Sequence, residues 1–170
     1  MIGVSIRHQI GEWLRLATPA LISLLLLLIS IAPWRPFDAP LAGSLVGASI
    51  FYWTIYQPEA MTPWVAAAVG LASDVLGLSP FGLSMLMALL ICGSAQFWRQ
   101  QLADASFFLV WLAFAATSLA TFFIAWALAA LILEQWPDPW PIALQSIVNV
   151  ALYPVLTLLC GRLQRALFEQ

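Results

Sequence analysis

The sequence contains very few charged residues. Of its 170 residues, 8% are charged and 63% are apolar, and it has no lysine, since all six basic residues are arginines. An ordinary soluble domain is about 45–50% apolar and about 25% charged. This excess of apolar residues cannot all be buried, because a domain of this length leaves much of its surface in water. The composition therefore excludes an ordinary soluble domain and predicts a membrane protein.

Residues that perform catalysis or bind metals are also scarce. His8 is the only histidine and lies outside every apolar segment, whereas a Ser–His or Cys–His nucleophilic pair would need it inside the membrane. Cys92 and Cys160 lie in apolar runs, where cysteine acts as a small hydrophobic residue, and their spacing fits no metal motif. The chain has no phosphate-binding loop and no dinucleotide fingerprint. We therefore expect no enzyme, no cofactor, no metal site and no nucleic-acid partner.

Six apolar segments follow one another along the chain. Windows of about 20 residues, the length that crosses a bilayer, place them at residues 16–32, 41–56, 64–78, 81–97, 107–133 and 142–160. Only Ser79-Pro80 clearly separates the third segment from the fourth. The prolines after Glu134 disfavour helix, so residues 134–141 are expected to form a loop. We predict an all-α integral membrane protein, a single domain over residues 1–170 built as a bundle of six transmembrane helices.

The arginines support this count and give an orientation. With six spans, both termini lie on one side of the membrane, together with five of the six arginines: Arg7, Arg15, Arg99, Arg162 and Arg165. Only Arg35 falls on the other side. If the third and fourth segments formed one span, the arginines would divide two against four and the asymmetry would be lost. Since basic residues mark the cytoplasmic side, we predict that both termini are cytoplasmic.

Asp74 lies well inside a predicted span, in the run Gly70-Leu71-Ala72-Ser73-Asp74-Val75-Leu76-Gly77-Leu78-Ser79-Pro80-Phe81-Gly82. A carboxylate at the centre of a membrane helix costs roughly 2.5–3.5 kcal/mol on insertion scales. We expect Asp74 to accept hydrogen bonds from the N–H groups of Phe81 or Gly82, which the fourth helix cannot satisfy itself. On this capping interpretation, Asp74→Asn should be tolerated and Asp74→Leu should not. A proton- or ligand-binding carboxylate is the alternative, although no second charge accompanies it within the spans.

Small residues four positions apart occur in two predicted helices. Gly43 and Gly47 lie near the start of the second span, and Ala66 and Gly70 lie on the face of the third span that leads to Asp74. This spacing lets the backbones of membrane helices approach closely. Packing within the bundle is the simpler interpretation. The other is that Gly43 and Gly47 form a groove that receives a helix of another protein.

The sixth span carries polar residues and a proline. Pro154 leaves the carbonyl of Val150 without its helical hydrogen bond and should kink the helix. Asn149 can form a hydrogen bond to a neighbouring helix, for roughly 0.6–2 kcal/mol. We expect these residues to hold the bundle together.

Three stretches of the chain carry a recognisable pattern. They are Phe51-Tyr52-Trp53-Thr54-Ile55-Tyr56-Gln57-Pro58-Glu59, then Gly70-x-x-x-Asp74-x-x-Gly77-x-Ser79-x-x-Gly82, then Val148-Asn149-x-x-Leu152-Tyr153-Pro154 followed by Arg162 and Arg165. Together they resemble the MreD family of bacterial rod shape-determining membrane proteins. Their order and spacing agree with the family over the whole chain. The resemblance assigns the structural motif to Gly70, Asp74, Gly77, Ser79, Gly82, Asn149 and Pro154. One departure is Arg35-Pro36, which many relatives place immediately before the second span.

The resemblance implies a six-helix fold similar to the S-component type, the substrate-binding subunits of vitamin transporters. It also implies a place in the bacterial cytoplasmic (inner) membrane and in the machinery that elongates the peptidoglycan wall. Its expected partners are MreC, the actin-like MreB, RodA and the penicillin-binding transpeptidase of RodA, besides membrane lipids. We therefore expect a non-enzymatic scaffold or regulator of the elongation complex, needed for rod shape and lateral peptidoglycan synthesis, that binds MreC within or at the membrane.

Two other functions are consistent with the sequence. A small-molecule-binding membrane subunit of the S-component type would need a central cavity lined by groups such as Asp74, Gln145 and Asn149. A protein that handles lipid-linked precursors would need a polar groove that opens to lipid, and nothing in the sequence favours it.

Overall fold

A computed structural model describes residues 17–29, 42–76, 81–134, 136 and 138–168. These residues form six α-helices, which confirms the all-helical class. They are α1 (Ala17–Ile29), α2 (Ala42–Tyr56), α3 (Pro63–Val75), α4 (Leu83–Leu102), α5 (Phe107–Leu133) and α6 (Pro139–Phe168). Two helices contain stretches long and apolar enough to cross a membrane, Phe107–Leu131 in α5 and Ala143–Arg162 in α6, while α1 and α3 are shorter apolar helices.

The ends of α5 coincide with the predicted span 107–133. The run contains neither proline nor glycine, so nothing interrupts the helix. Ser106 precedes it in an extended conformation, and Glu134 ends it in the left-handed conformation, with φ of 53°. The most uniformly apolar segment of the chain therefore becomes one unbroken helix.

The start of α6 differs from the sequence prediction. Residues 134–141 were expected to be non-helical because of their prolines, but α6 begins at Pro139 and includes Pro141 in its first turn. Proline is tolerated there because the first N–H groups of a helix have no intrahelical partner. The Asp138 carboxylate accepts a hydrogen bond of 3.0 Å from the Trp140 N–H, as a capping residue does. The prolines thus start the helix instead of preventing it.

Helix α2 is the central helix of the bundle. Every residue from Val46 to Ile55 is buried, on all sides of the helix. Within the described residues it packs against α4 and α6, while α3 packs most extensively against α4 and α5 packs against α4 and α6. A buried hydrogen bond of 2.9 Å joins the hydroxyls of Ser23 in α1 and Ser49 in α2. A helix that is apolar all round is expected at such a central position.

The outer surface of the bundle is strongly apolar. On α5 the exposed side chains include Leu112, Leu119 and Phe123. Exposed tryptophans lie close to helix ends: Trp64, Trp98, Trp136 and Trp140. Large exposed apolar surfaces mark membrane or protein contacts, and tryptophan concentrates at membrane interfaces. This surface is therefore that of a protein whose outside faces lipid.

Candidate functional site

The Asp74 carboxylate links the end of α3 to the start of α4. Its Oδ2 accepts hydrogen bonds from the backbone N–H groups of Gly82, at 2.9 Å, and Met85, at 3.3 Å. Its Oδ1 accepts one from the N–H of Ser84, at 3.0 Å. These donors belong to the first turn of α4, where N–H groups lack intrahelical partners and favour a nearby negative charge. Asp74 is buried, so the hydrogen bonds offset the cost of keeping its polar oxygens away from water.

Gly82 is the residue that immediately precedes α4. Its φ is +91°, in the left-handed region that residues with a Cβ atom rarely adopt, and it offers no side chain to cap the helix. The carboxylate from α3 supplies the missing cap from another helix. The motif residues Gly77 and Ser79 lie outside the described residues.

Gly70 lies one helical turn before Asp74, at the closest approach of α3 to α4. A Cβ atom at this position would lie 2.6 Å from the Met85 Cα and 2.7 Å from the Ser84 carbonyl oxygen, both of which are backbone atoms. No side-chain movement could relieve that overlap, so the helices would have to separate. Gly70 therefore permits the contact that brings Asp74 within reach of the α4 backbone.

Gly47 is buried inside the bundle. A Cβ atom there would lie 3.0 Å from the Cδ1 atom of Ile91 in α4. This environment fits the helix-packing interpretation of Gly47, because a groove for another protein would need the residue on the outside. Gly43 lies in α2, one turn earlier, but the contacts around it lie outside the described side chains.

The proline of α6 is compensated by a side chain of α5. Pro154 has no N–H group, so the Val150 carbonyl lacks its usual helical donor. The Trp111 indole Nε1–H donates a hydrogen bond of 2.9 Å to that carbonyl. Proline kinks in membrane helices persist where neighbouring helices satisfy the freed group. The sequence had identified the freed carbonyl, but it gave no indication of its donor.

Asn149 does not form the expected bridge through its oxygen. Its buried Oδ1 has no hydrogen-bond partner among the described residues, and the same holds for Trp53 Nε1 and the Tyr153 hydroxyl. The Tyr153 ring stacks on Phe114, with centroids 4.3 Å apart and planes at 17°. This part of α6 is therefore held to α5 by the stacking of Tyr153 on Phe114 together with the hydrogen bond from Trp111, and not by the Asn149 oxygen.

A cavity of about 200 Å³ lies between α2, α3, α4, α5 and α6. Its lining includes Gly70 of the Asp74 motif and the side chains of Ser118 and Ser146. Of the three groups that the sequence proposed for a central cavity, Gln145 lines it, whereas Asp74 and Asn149 are not among its lining residues. The cavity was found only once the helices were assembled, because its polar residues come from helices far apart in sequence.

The cysteines are free and buried. Cys92 accepts a hydrogen bond from the Thr54 hydroxyl at 3.7 Å and one from the Gln96 amide at 3.6 Å. Among the described residues, no group of three or more His, Cys, Asp or Glu side chains is placed to hold a metal ion.

Comparison with known proteins identifies the family of the chain. No curated protein and no solved structure matches it. The family model of the rod shape-determining protein MreD matches residues 9–163, which is nearly the whole chain. The match includes the Asp74 turn and the Asn149–Pro154 segment described above. The chain therefore belongs to the MreD family of rod shape-determining membrane proteins.

Proposed function

We propose that this protein is a non-enzymatic scaffold of the cell-wall elongation complex and that it binds MreC within or at the membrane. The family match over residues 9–163 carries the proposal. The structural use of Asp74, which caps α4, and of Trp111, which bonds to α6, supports it, since neither group is left for catalysis. MreB, RodA and the penicillin-binding transpeptidase of RodA are the further partners proposed, and rod shape with lateral peptidoglycan synthesis is the function they serve together.

We also propose six membrane crossings with both termini in the cytoplasm. The short turn between α3 and α4 supports this arrangement, because the cavity is lined by residues late in α3, Gly70 and Ser73, and early in α4, Leu83 and Ser84, as expected for two helices that run in opposite directions. Arg99 near the end of α4 and Arg162 late in α6 then lie toward the same side of the membrane. Cysteine-accessibility labelling at both termini tests this, and labelling from opposite sides would contradict it.

Co-purification of MreC with the full chain from detergent-solubilised membranes tests the scaffold. We expect MreC to be recovered with the wild-type chain, and cells depleted of the chain to lose their rod shape and lateral wall synthesis. Failure to recover MreC at all, under mild detergent and after crosslinking, would refute the proposed contact.

Gly43 remains our candidate for the MreC contact, and Gly47 provides a matched variant. Gly47→Leu should lower the melting temperature of the chain, because a leucine would collide with Ile91 inside the bundle. Gly43→Leu should reduce MreC recovery while the chain keeps its melting temperature. If Gly43→Leu is folded and recovers MreC at the wild-type level, the contact lies on another face.

A small-molecule-binding membrane subunit is the second candidate function. The cavity between five helices is the observation that favours it. The bundle can hold its neighbours and a ligand at the same time if the proposed protein contacts leave this pocket between the helices uncovered.

A further inference from the structure

The cavity has a polar wall and an apolar wall. The polar wall is formed by four side chains of α5 and α6: Ser118, Thr121, Gln145 and Ser146. Ser73 of α3 and Ser84 of α4 also line the cavity, and α5 adds the apolar residues Phe122 and Ala125. The apolar wall comes mainly from α2 and α4: Val46, Ile50, Met87, Ala88 and Ile91. We propose that this cavity is a binding site for a small uncharged molecule with an apolar body and hydroxyl or amide groups along one edge. The proposal rests on the second candidate function and specifies its ligand class.

The polar wall offers hydrogen-bonding groups that the protein does not use. Ser118 is 5% exposed and Ser146 is 9% exposed, and neither hydroxyl has a hydrogen-bond partner among the described residues. The Gln145 side-chain amide is likewise without a partner in that part of the chain. Thr121 differs, since its hydroxyl donates to the carbonyls of Thr117 and Ser118. The hydroxyl and amide groups of these three side chains are therefore available to a ligand that both donates and accepts hydrogen bonds.

The charge of the lining determines the charge of the ligand. No Asp, Glu, Lys, Arg or His lines the cavity within the described residues. The nearby Asp74 carboxylate is not a substitute, because both of its oxygens accept hydrogen bonds from the α4 backbone. A buried charge without a partner is strongly unfavourable. The site therefore selects an uncharged molecule over an ionised one of the same shape.

The volume limits the size of the ligand. A cavity of 150 Å³ in another protein accommodates benzene, and the present cavity is about 200 Å³. One ring with a short polar substituent fits this space, with the ring against α2 and α4 and the substituent against α5 and α6. The same group could be part of a free solute or the head of an uncharged lipid, since both would present hydroxyl or amide groups.

Benzamide and benzoate form a suitable pair of probes, because they share a ring and differ in charge. Binding to the purified full chain in lipid nanodiscs is measured by saturation-transfer NMR, with empty nanodiscs as the blank. We expect benzamide to bind the wild-type chain at least tenfold more tightly than benzoate. An uncharged lipid, monoolein, should compete with benzamide if the natural ligand is a lipid head, and a soluble polyol, glycerol, should compete if it is a free solute.

Two variants and one control locate the binding. Ser118→Met fills the cavity, and Ser146→Ala removes one hydroxyl without adding volume. Both should weaken benzamide binding, by at least tenfold for Ser118→Met. Ser94→Met is the control, because Ser94 is half-buried in α4, donates to the Ile91 carbonyl and does not line the cavity. The Ser94→Met variant should bind benzamide as tightly as the wild type does. Melting temperatures identify any variant that fails to fold.

The outcomes separate the ligand class from the site itself. If benzoate binds as tightly as benzamide and Ser118→Met abolishes both, a binding site exists and the uncharged class is wrong. If neither probe distinguishes the wild type from Ser118→Met and Ser146→Ala, the cavity is not a ligand site, and the second candidate function fails with it. Co-purification of MreC with the Ser118→Met variant tests the proposed scaffold function separately, because it does not depend on whether either probe binds.

Discussion

Replacement of Asp74 gives the sharpest test of how α3 and α4 are joined. In Asp74→Leu, the N–H groups of Gly82, Ser84 and Met85 all lose their acceptor. A buried donor left unsatisfied costs about 1–3 kcal/mol, so three donors give an upper range of about 3–9 kcal/mol. Rearrangement at the helix start recovers part of this. We therefore expect the free energy of unfolding to fall by about 3 kcal/mol or more.

The same geometry changes the expectation for asparagine. From the sequence, Asp74→Asn is expected to be tolerated, but both carboxylate oxygens accept hydrogen bonds in the structure. Asparagine has a single acceptor oxygen and an NH₂ group that would face an N–H donor. If its oxygen takes the place of Oδ2, the hydrogen bonds from Gly82 and Met85 remain and the one from Ser84 is lost. We expect a loss of about 1–3 kcal/mol, clearly smaller than that for leucine.

Unfolding of purified chains in mixed micelles, titrated with a denaturing detergent, measures these differences. Ser73→Ala is the matched control, because Ser73 is the buried neighbour of Asp74 and its hydroxyl, among the residues that the structure describes, bonds only to the Val69 carbonyl of α3, at 3.1 Å. The Ser73→Ala substitution should lower the free energy of unfolding by about 1 kcal/mol or less. Equal losses for the asparagine and leucine variants, or a leucine variant no worse than Ser73→Ala, would refute the capping role.

Two further predictions concern the contacts between helices, and the same unfolding measurement applies to both. Trp111→Phe should lower the free energy of unfolding by about 1–3 kcal/mol, because the Val150 carbonyl loses its donor. In a Pro154→Ala background residue 154 supplies an N–H, so the same change should cost less than about 1 kcal/mol. Equal losses in both backgrounds would contradict the proposed compensation. Gly70→Ala should cost about 1–3 kcal/mol, because its Cβ would overlap backbone atoms of α4. Gly93→Ala is its control, since a Cβ there meets nothing within 4 Å, and it should be neutral or stabilise the helix by up to about 1 kcal/mol. A smaller loss for Gly70→Ala than for Gly93→Ala would show that α3 and α4 are not in tight contact.

Local patterns were sufficient to predict most of the helices. The run 107–133 was predicted to its ends because a long apolar segment without proline or glycine has only one regular structure in lipid. The prolines at 139 and 141 predict a loop there, but proline is compatible with the first turn of a helix, and α6 starts at Pro139. The sequence pattern alone did not separate a proline before a helix from one inside its first turn.

Contacts between residues far apart in sequence could be predicted only where a short turn holds the two groups close together. The bond from the Gly82 N–H to Asp74 was expected, because a short turn places the carboxylate near the start of the next helix. The bond from Trp111 to the Val150 carbonyl was not, because 39 residues separate the two groups and the relative rotation of α5 and α6 is set by packing. The polar wall of the cavity was missed for the same reason, except for Gln145.

The Asp74 cap also constrains how the chain is made. Helix α3 has 13 residues, about 20 Å in length, whereas the hydrocarbon layer is about 30 Å thick. The donors for its carboxylate belong to residues 82–85, which the ribosome synthesises later. Until those residues emerge, α3 is shorter than the hydrocarbon layer and its carboxylate lacks these donors. We therefore expect α3 and α4 to enter the lipid together as a helical hairpin, and a chain that ends between the two helices to insert poorly.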